Sequence, residues 1–253
     1  MTKEEIMKKI DFNNDGDTEI KDADFYLKVK GVALHKEIML HLGINFDDSK
    51  QKIKWSKISS LLRYDKKLRD KIYIYIATLE EYMRAYLGNK YEDAPNQPFW
   101  KDCGRDDNRR KVKTRILKGE NVSDVLNSIE FGDLVLQIKN IPSNDKSEIF
   151  GCVENINLNL DAVQKLRNAV SHHRFLMDYK FLPCVVDEKK DDSLEYNIRN
   201  LRQLLPKEYR NGKNGKNGIT AEINACQYEK RVINKKNIRQ LMLIDDRDIV
   251  HLD

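Results

Sequence analysis

Apolar residues recur at steps of three and four along most of this chain, with polar positions between them, as they do on helices that bury one face. The clearest run covers residues 68–87, where Ile72, Ile76, Leu79, Met83 and Leu87 fall on one side. On the same run Glu80 and Arg84 stand four apart, close enough to meet. They form either a surface ion pair or a polar pair facing a groove. A second helix is predicted from Phe131-Gly132-Asp133 through Leu134, Leu136 and Ile138 to Ile141, where Pro142 ends it. A third is predicted over 159–175, with Leu160, Val163, Leu166 and Val170 as its buried stripe. The segment Asp93-Ala94-Pro95-Asn96-Gln97-Pro98 breaks the helical pattern. Pro183-Cys184-Val185-Val186 is a short apolar run that suits an extended conformation. Residues 211–218, a Lys-Asn-Gly repeat, read as a flexible linker. Residues 219–253, with the apolar run Leu241-Met242-Leu243-Ile244, read as an appendage packed on the core. The class expected is all-α.

The chemistry concentrates in Leu166-Arg167-Asn168-Ala169-Val170-Ser171-His172-His173, where two of the chain's five histidines stand side by side. A guanidinium holds a phosphate bidentately and stabilises charge that builds on it. An imidazole titrates near neutral pH and can take or give the proton that strand cleavage requires. On a continuous helix, Arg167 and His172 diverge by about 140° at 100° per residue, whereas Asn168 and His172 share a face. A second copy of the helix across a two-fold axis would complete such a site.

The block Arg167-Asn168-Ala169-Val170-Ser171-His172-His173 resembles the R-N-x-x-x-H-H signature of the Abi-like abortive-infection proteins (the AbiD/AbiF group), which belong to the HEPN superfamily of helical ribonucleases. Three further segments resemble that family in its own order, within about residues 30–230. They are Asp65-Lys66-Lys67-Leu68-Arg69, followed by the acidic–Arg pair in Leu79-Glu80-Glu81-Tyr82-Met83-Arg84; Ser128-Ile129-Glu130-Phe131-Gly132-Asp133-Leu134; and Leu205-Pro206-Lys207-Glu208-Tyr209-Arg210. Ser171 departs from the family's usual Ala, and the first two dozen residues and the Lys-Asn-Gly repeat have no counterpart in it. The resemblance implies a HEPN-like helical bundle over 31–210, preceded by an acidic extension over 1–30 and followed by a linker and appendage over 211–253. It implies a metal-independent endoribonuclease in which a ribose 2′-hydroxyl attacks its own phosphate. Arg167 would hold the non-bridging oxygens, His172 would act as base or acid with His173 beside it, and Asn168 would orient substrate or His. It also implies a role in phage defence or toxin–antitoxin control, a homodimer, an inhibitory or antitoxin partner, and a bound small non-coding RNA. The alternative is a HEPN protein that binds RNA without cutting it.

Charge sharpens this picture. The net charge is +5, with eight Lys/Arg against three Asp in residues 101–118. Such a stretch suits a polyanion, and Arg105, Arg109, Arg110, Lys111, Lys113 and Arg115 are its candidate RNA contacts. Residues 1–24 are acidic instead, with eight Asp/Glu against four Lys. Within them Asp11-Phe12-Asn13-Asn14-Asp15-Gly16-Asp17-Thr18-Glu19-Ile20-Lys21-Asp22 places oxygens as a calcium loop does. Asp stands where the bidentate Glu belongs and Thr18 where an apolar residue does, so an acidic turn between two helices is the preferred reading. No metal or cofactor is expected. Cys103, Cys152, Cys184 and Cys226 have no metal-ligand spacing. No apolar run nears the roughly 20 residues of a membrane span, and the opening residues form no signal peptide. A cytoplasmic protein with reduced thiols and no membrane partner is expected.

Overall fold

The structure, a computed structural model, describes residues 1–12, 16–104, 107–151, 155–212, 218–233 and 236–253. It is mostly helical, in keeping with the apolar spacing. In chain order the first half holds α1 (Lys3–Lys8), β1 (Ile10–Asp11), α2 (Gly16–Lys30), α3 (Val32–His41), β2 (Ile53–Lys54), α4 (Trp55–Tyr91), α5 (Val112–Leu117) and α6 (Val122–Ser128). The second half holds α7 (Phe131–Asn140), α8 (Ser143–Phe150), α9 (Ile156–Ser171), β3 (Cys184–Val186), β4 (Lys189–Asp191), α10 (Leu194–Leu204), α11 (Lys207–Asn211), α12 (Ile219–Asn224), β5 (Tyr228–Ile233) and β6 (Lys236–Leu241). Short 3-10 turns occupy Asn108–Arg110, Ala225–Gln227 and Asp246–Asp248.

The chain divides into two compact units, each built from separated stretches. The first comprises Met1–Asp70, His173–Tyr179 and Ile223–His251. A capping box opens α1, with the Glu5 backbone N–H donating to the Thr2 hydroxyl and Glu5 reaching back to Thr2. The parallel pair β1–β2 brings Ile10 opposite Ile53. Ile6, Ile38, Met39, Ile58, Tyr64 and Leu176 are fully buried in this unit. The Tyr64 hydroxyl accepts the Val250 N–H at 2.7 Å, holding the stretch after the Asp246–Asp248 turn. An antiparallel hairpin, β5–β6, pairs Tyr228 with Leu241. Lys67 Nζ donates to the Tyr228 carbonyl at 2.6 Å.

The second unit comprises Lys71–His172, Lys180–Glu222 and Leu252–Asp253. Its core gathers Ile72, Ile76, Leu79, Met83 and Leu87 of α4, Leu134 and Ile138 of α7, Leu160, Val163, Leu166 and Val170 of α9, and Ile198, Leu201 and Leu204 of α10, all buried. Burying each such side chain contributes roughly 1.5–3 kcal/mol. Asn159 is buried as well, yet satisfied: its amide pairs with both the N–H and the C=O of Val185. Asn200 in turn donates to the Asn159 carbonyl at 2.8 Å. β3 pairs antiparallel with β4, Val185 opposite Lys190, and these amides add partners on the other edge of β3 that tie α9, β3 and α10 together.

The sequence pattern and the structure part company in a few places. The apolar stripe of 68–87 lies inside a much longer helix, because Ser59, Ser60 and Asp65 are buried polar positions that interrupt the apolar pattern. The motif helix ends at Ser171 and not at Phe175. The stretch after the linker contains the β5–β6 hairpin. Residues Asn13, Asn14 and Asp15 of the calcium-loop-like stretch lie outside the described residues. Asp17, Glu19 and Asp22 stand on α2, which begins at Gly16, so this half of the stretch is regular helix where a turn was expected. The described cysteines, Cys103, Cys184 and Cys226, are buried thiols in no disulfide, and Cys152 lies outside the described residues. No helix among the described residues is long and apolar enough to cross a membrane.

Candidate functional site

Arg167 and Asn168 sit on the last turn and a half of α9, half-buried, and the buried stripe on the helix's other side fixes where they stand. The helix then closes on His172, whose N–H donates to the Asn168 carbonyl at 3.0 Å. His172 therefore keeps its helical place one residue beyond the last turn and is exposed. His173 follows in the left-handed region, φ 52°. Left-handed residues commonly end helices, but glycine usually supplies them. A side chain in that conformation costs roughly 1–2 kcal/mol. His173 is exposed, so no buried contact of its own offsets this cost.

Arg167, Asn168 and His172 belong to the second unit, and His173 opens the His173–Tyr179 stretch of the first. Among the described residues, none of the four has a side-chain hydrogen bond or ion pair. Gly132 of α7 lies against Gln164 of α9, one turn before Arg167. A Cβ at that position would meet only the end of the flexible Gln164 side chain, which can swing aside, so the approach of α7 to the motif helix does not itself require glycine there.

The other family-like segments serve the architecture. Asp65 is completely buried, accepts the Leu176 N–H at 2.9 Å and pairs with Arg69 at 2.8 Å. Burial pushes its carboxyl up to about 6, against the opposing pull of Arg69 and the Leu176 amide. The Glu80–Arg84 pair, at 2.6 Å, is half-buried. Arg84 also donates to the carbonyls of Leu126 and Ile129 at 2.9 and 2.8 Å, satisfying the end of α6. Its guanidinium is thus occupied. Arg210 donates to the Leu205 carbonyl at 2.5 Å, tying α11 back onto the end of α10.

The basic stretch divides in the same way. Arg110 binds the buried Asp133 bidentately, with contacts of 2.6 to 3.2 Å. Burial and Asp133 push the neighbouring Cys103 thiol up to about 12, which leaves it unreactive. Arg115 binds Glu120 at 2.7 Å and the Ser128 hydroxyl at 2.7 Å. Lys111 is half-buried and engaged. Arg109 and Lys113 are exposed, and among the described residues the Arg109 guanidinium approaches one carboxylate, that of Asp107, at 3.6 Å. Arg105 lies outside the described residues.

One cluster escaped sequence reasoning altogether. His41 closes α3 with Nδ1 at 2.6 Å from Asp178 and Nε2 at 2.9 Å from Asp248. Its partners are 137 and 207 residues away, and no local pattern signals such a meeting. Comparison of the chain with protein-family models, with curated proteins and with solved structures returns no match.

Proposed function

We propose that this protein is an endoribonuclease of the HEPN type, resembling the Abi-like proteins, that cuts RNA by 2′-hydroxyl transesterification in defence against phage. One observation carries the reading. Arg69, Arg84, Arg110, Arg115 and Arg199 are each engaged with carboxylates or carbonyls, while Arg167 has no such partner among the described residues. An unengaged, half-buried guanidinium five residues before an exposed imidazole suits a phosphate that arrives from outside.

In this mechanism an imidazole of His172 takes the proton of the 2′-hydroxyl. The 2′-oxygen bonds to phosphorus, and the bond from phosphorus to the 5′-oxygen breaks. A second protonated imidazole delivers a proton to the departing oxygen, leaving a 2′,3′-cyclic phosphate and a 5′-hydroxyl. Arg167 stabilises the extra negative charge on the non-bridging oxygens, and Asn168 orients the attacking group. His173, or His172 of a second copy in a homodimer, supplies the acid. Inhibition by an antitoxin-like partner or a small structured RNA would keep such an activity silent until infection.

The experiment is expression of wild type beside His172→Ala, scoring growth arrest and the ends left on broken RNA. Growth arrest with cyclic-phosphate ends in wild type alone, surviving EDTA, is the expected result. Equal RNA breakage by both proteins removes His172 from the chemistry. Loss of cleavage in chelator, restored by a divalent ion, replaces the mechanism with a metal-assisted one. Exposed Arg109 and Lys113 favour RNA contact in either case, so RNA binding with no breakage would leave an RNA-binding protein without catalysis.

A further inference from the structure

The stretch that His173 opens does not run free. Phe175 and Leu176 are buried, at 1% and 0% exposure. Leu176 hangs by its N–H from Asp65, and Asp178 reaches His41. The other nitrogen of His41 meets Asp248, and the Phe175 ring stands edge-on to the imidazole, centroids 5.3 Å apart. An imidazole with a carboxylate on each nitrogen can satisfy both only as the doubly protonated cation, because the neutral ring has a single N–H. His41 also closes the last turn of α3, where the helix dipole favours positive charge.

We propose that His41 is a positioning residue for His173: as an imidazolium bridging Asp178 and Asp248, it fastens residues 173–179 and so sets where His173 stands. The consequence for cleavage rests on reading Arg167–His173 as the RNA-cleaving centre; the fastening itself does not. His41 touches no part of that motif. Both of its nitrogens are occupied, which leaves none for proton transfer with a substrate.

The charges facing His41 come from every neighbouring element. Asp178 lies on the fastened stretch, and Asp248 lies on the 3-10 turn with Arg247 at 3.8 Å from it. Glu37 on α3 is raised first by burial and then by Asp178, with Arg174 opposing. Lys57 approaches Asp245 at 3.8 Å. Burial alone pushes the imidazole of His41 down, but the hydrogen bonds and charges of Asp178 and Asp248 outweigh it and hold His41 above its ordinary value. A raised histidine contributes its full stability below its ordinary value of about 6.5 and loses it as pH climbs through the elevated one. Asp65, raised by burial, costs stability between the ordinary carboxylate range and about 6, then no further. Asp65 therefore adds no further loosening above about 6, whereas the stability His41 contributes is lost only as pH climbs through its elevated value.

The test uses the full chain as wild type, His41→Gln and Asp178→Asn, with amide exchange corrected for intrinsic chemistry between pH 6 and 8.5. The Leu176 amide reports opening of the stretch. The Val250 amide, held by Tyr64, reports whether the unit remains folded. Wild type is expected to lose Leu176 protection as pH rises, by roughly tenfold, and His41→Gln to show the loosened state throughout. Cleavage of a mixed-sequence RNA 20-mer should fall roughly tenfold in kcat for His41→Gln, the scale on which a misplaced catalytic group acts. The part of the alkaline limb owed to His41 should disappear, leaving the limb set by the protonated imidazole that serves as acid, and KM should hold. Equal Leu176 protection in all three proteins, with Val250 protected, overturns the proposal. If His41→Gln loses Val250 protection as well, Asp178→Asn decides on the same criterion. Wild type that loosens as expected yet cuts no RNA at any pH removes the nuclease reading and leaves the fastening intact.

Discussion

The stretch 101–118 and the end of α9 are both rich in cationic side chains, and they use them in opposite ways. In the first, Arg110 is spent on buried Asp133 and Arg115 on Glu120 and Ser128. In the second, Arg167, His172 and His173 have no side-chain partner among the described residues. The stretch with the higher density of positive charge is thus the one more fully consumed by the fold. Charge density along a sequence says that a partner exists; it does not say whether the partner is the protein itself. A guanidinium bound to an internal carboxylate has little left to offer a phosphate, while one without an internal partner has all of its donors.

The largest effects should separate the two regions by kind. Arg167→Ala and His172→Ala are each expected to cut RNA cleavage by about a hundredfold or more, with helical content and thermal midpoint unchanged. Arg110→Ala should do the reverse. It strands a buried carboxylate, a change that typically costs about 3–5 kcal/mol. Because the Arg110 side chain is 24% exposed against 2% for Asp133, water screens part of the loss, and the lower end of that range applies. Circular dichroism melts beside a cleavage assay check both halves. A folded Arg167→Ala protein with full cleavage, or an Arg110→Ala protein of unchanged stability, breaks the comparison on that side.

Legibility in the sequence tracks the range of the interactions. The stripe Leu160, Val163, Leu166, Val170 and the end of α7 before Pro142 were readable because helical periodicity and proline act over a few residues. The candidate site is a proposal drawn from a contiguous motif, which local reading can pick out. The full length of α4 was not, because Ser59, Ser60 and Asp65 look like surface positions until long-range partners bury them. Asp65 finds Leu176 at a separation of 111 residues, and His41 finds Asp248 at 207. Charge-rich β5 and β6 carry no clean alternation, so their pairing was invisible as well. Which cations the fold consumes is likewise a tertiary fact.

A smaller effect should appear within the basic stretch itself. If RNA lies along 101–118, its contacts are the exposed Arg109 and Lys113 and not the engaged Arg110 and Arg115. Replacing Arg109 and Lys113 together by Gln should lower the slope of log affinity against log salt by about 0.7 per lost contact on single-stranded RNA. Filter binding at several salt concentrations measures it. An unchanged slope would place the RNA elsewhere on the molecule. A slope that changes with Arg115→Gln alone, in protein that remains folded, would mean that the ion pairs open on binding.

The smallest effect concerns His173. Its left-handed backbone costs roughly 1–2 kcal/mol for any residue with a Cβ, and among the described residues its exposed ring has no hydrogen bond, ion pair or ring contact to set against this. A residue kept in such a conformation at a helix end, where glycine is the usual occupant, points to a demand made by the side chain. His173→Gly should therefore stabilise the protein, by somewhat less than that cost, because glycine also gives the unfolded chain more freedom. A gain of about 1 kcal/mol in urea denaturation, accompanied by weaker RNA cleavage, is the expected pair of results. His173→Asn serves as the control, since asparagine tolerates the same backbone but cannot transfer a proton near neutral pH. Should both variants keep full cleavage, His173 ends the helix and does nothing more, and the acid must come from His172 of a second copy. Should His173→Gly destabilise the protein, the ring makes a folded-state contact that offsets its strain, and the contrast with the consumed cations of 101–118 weakens at that position.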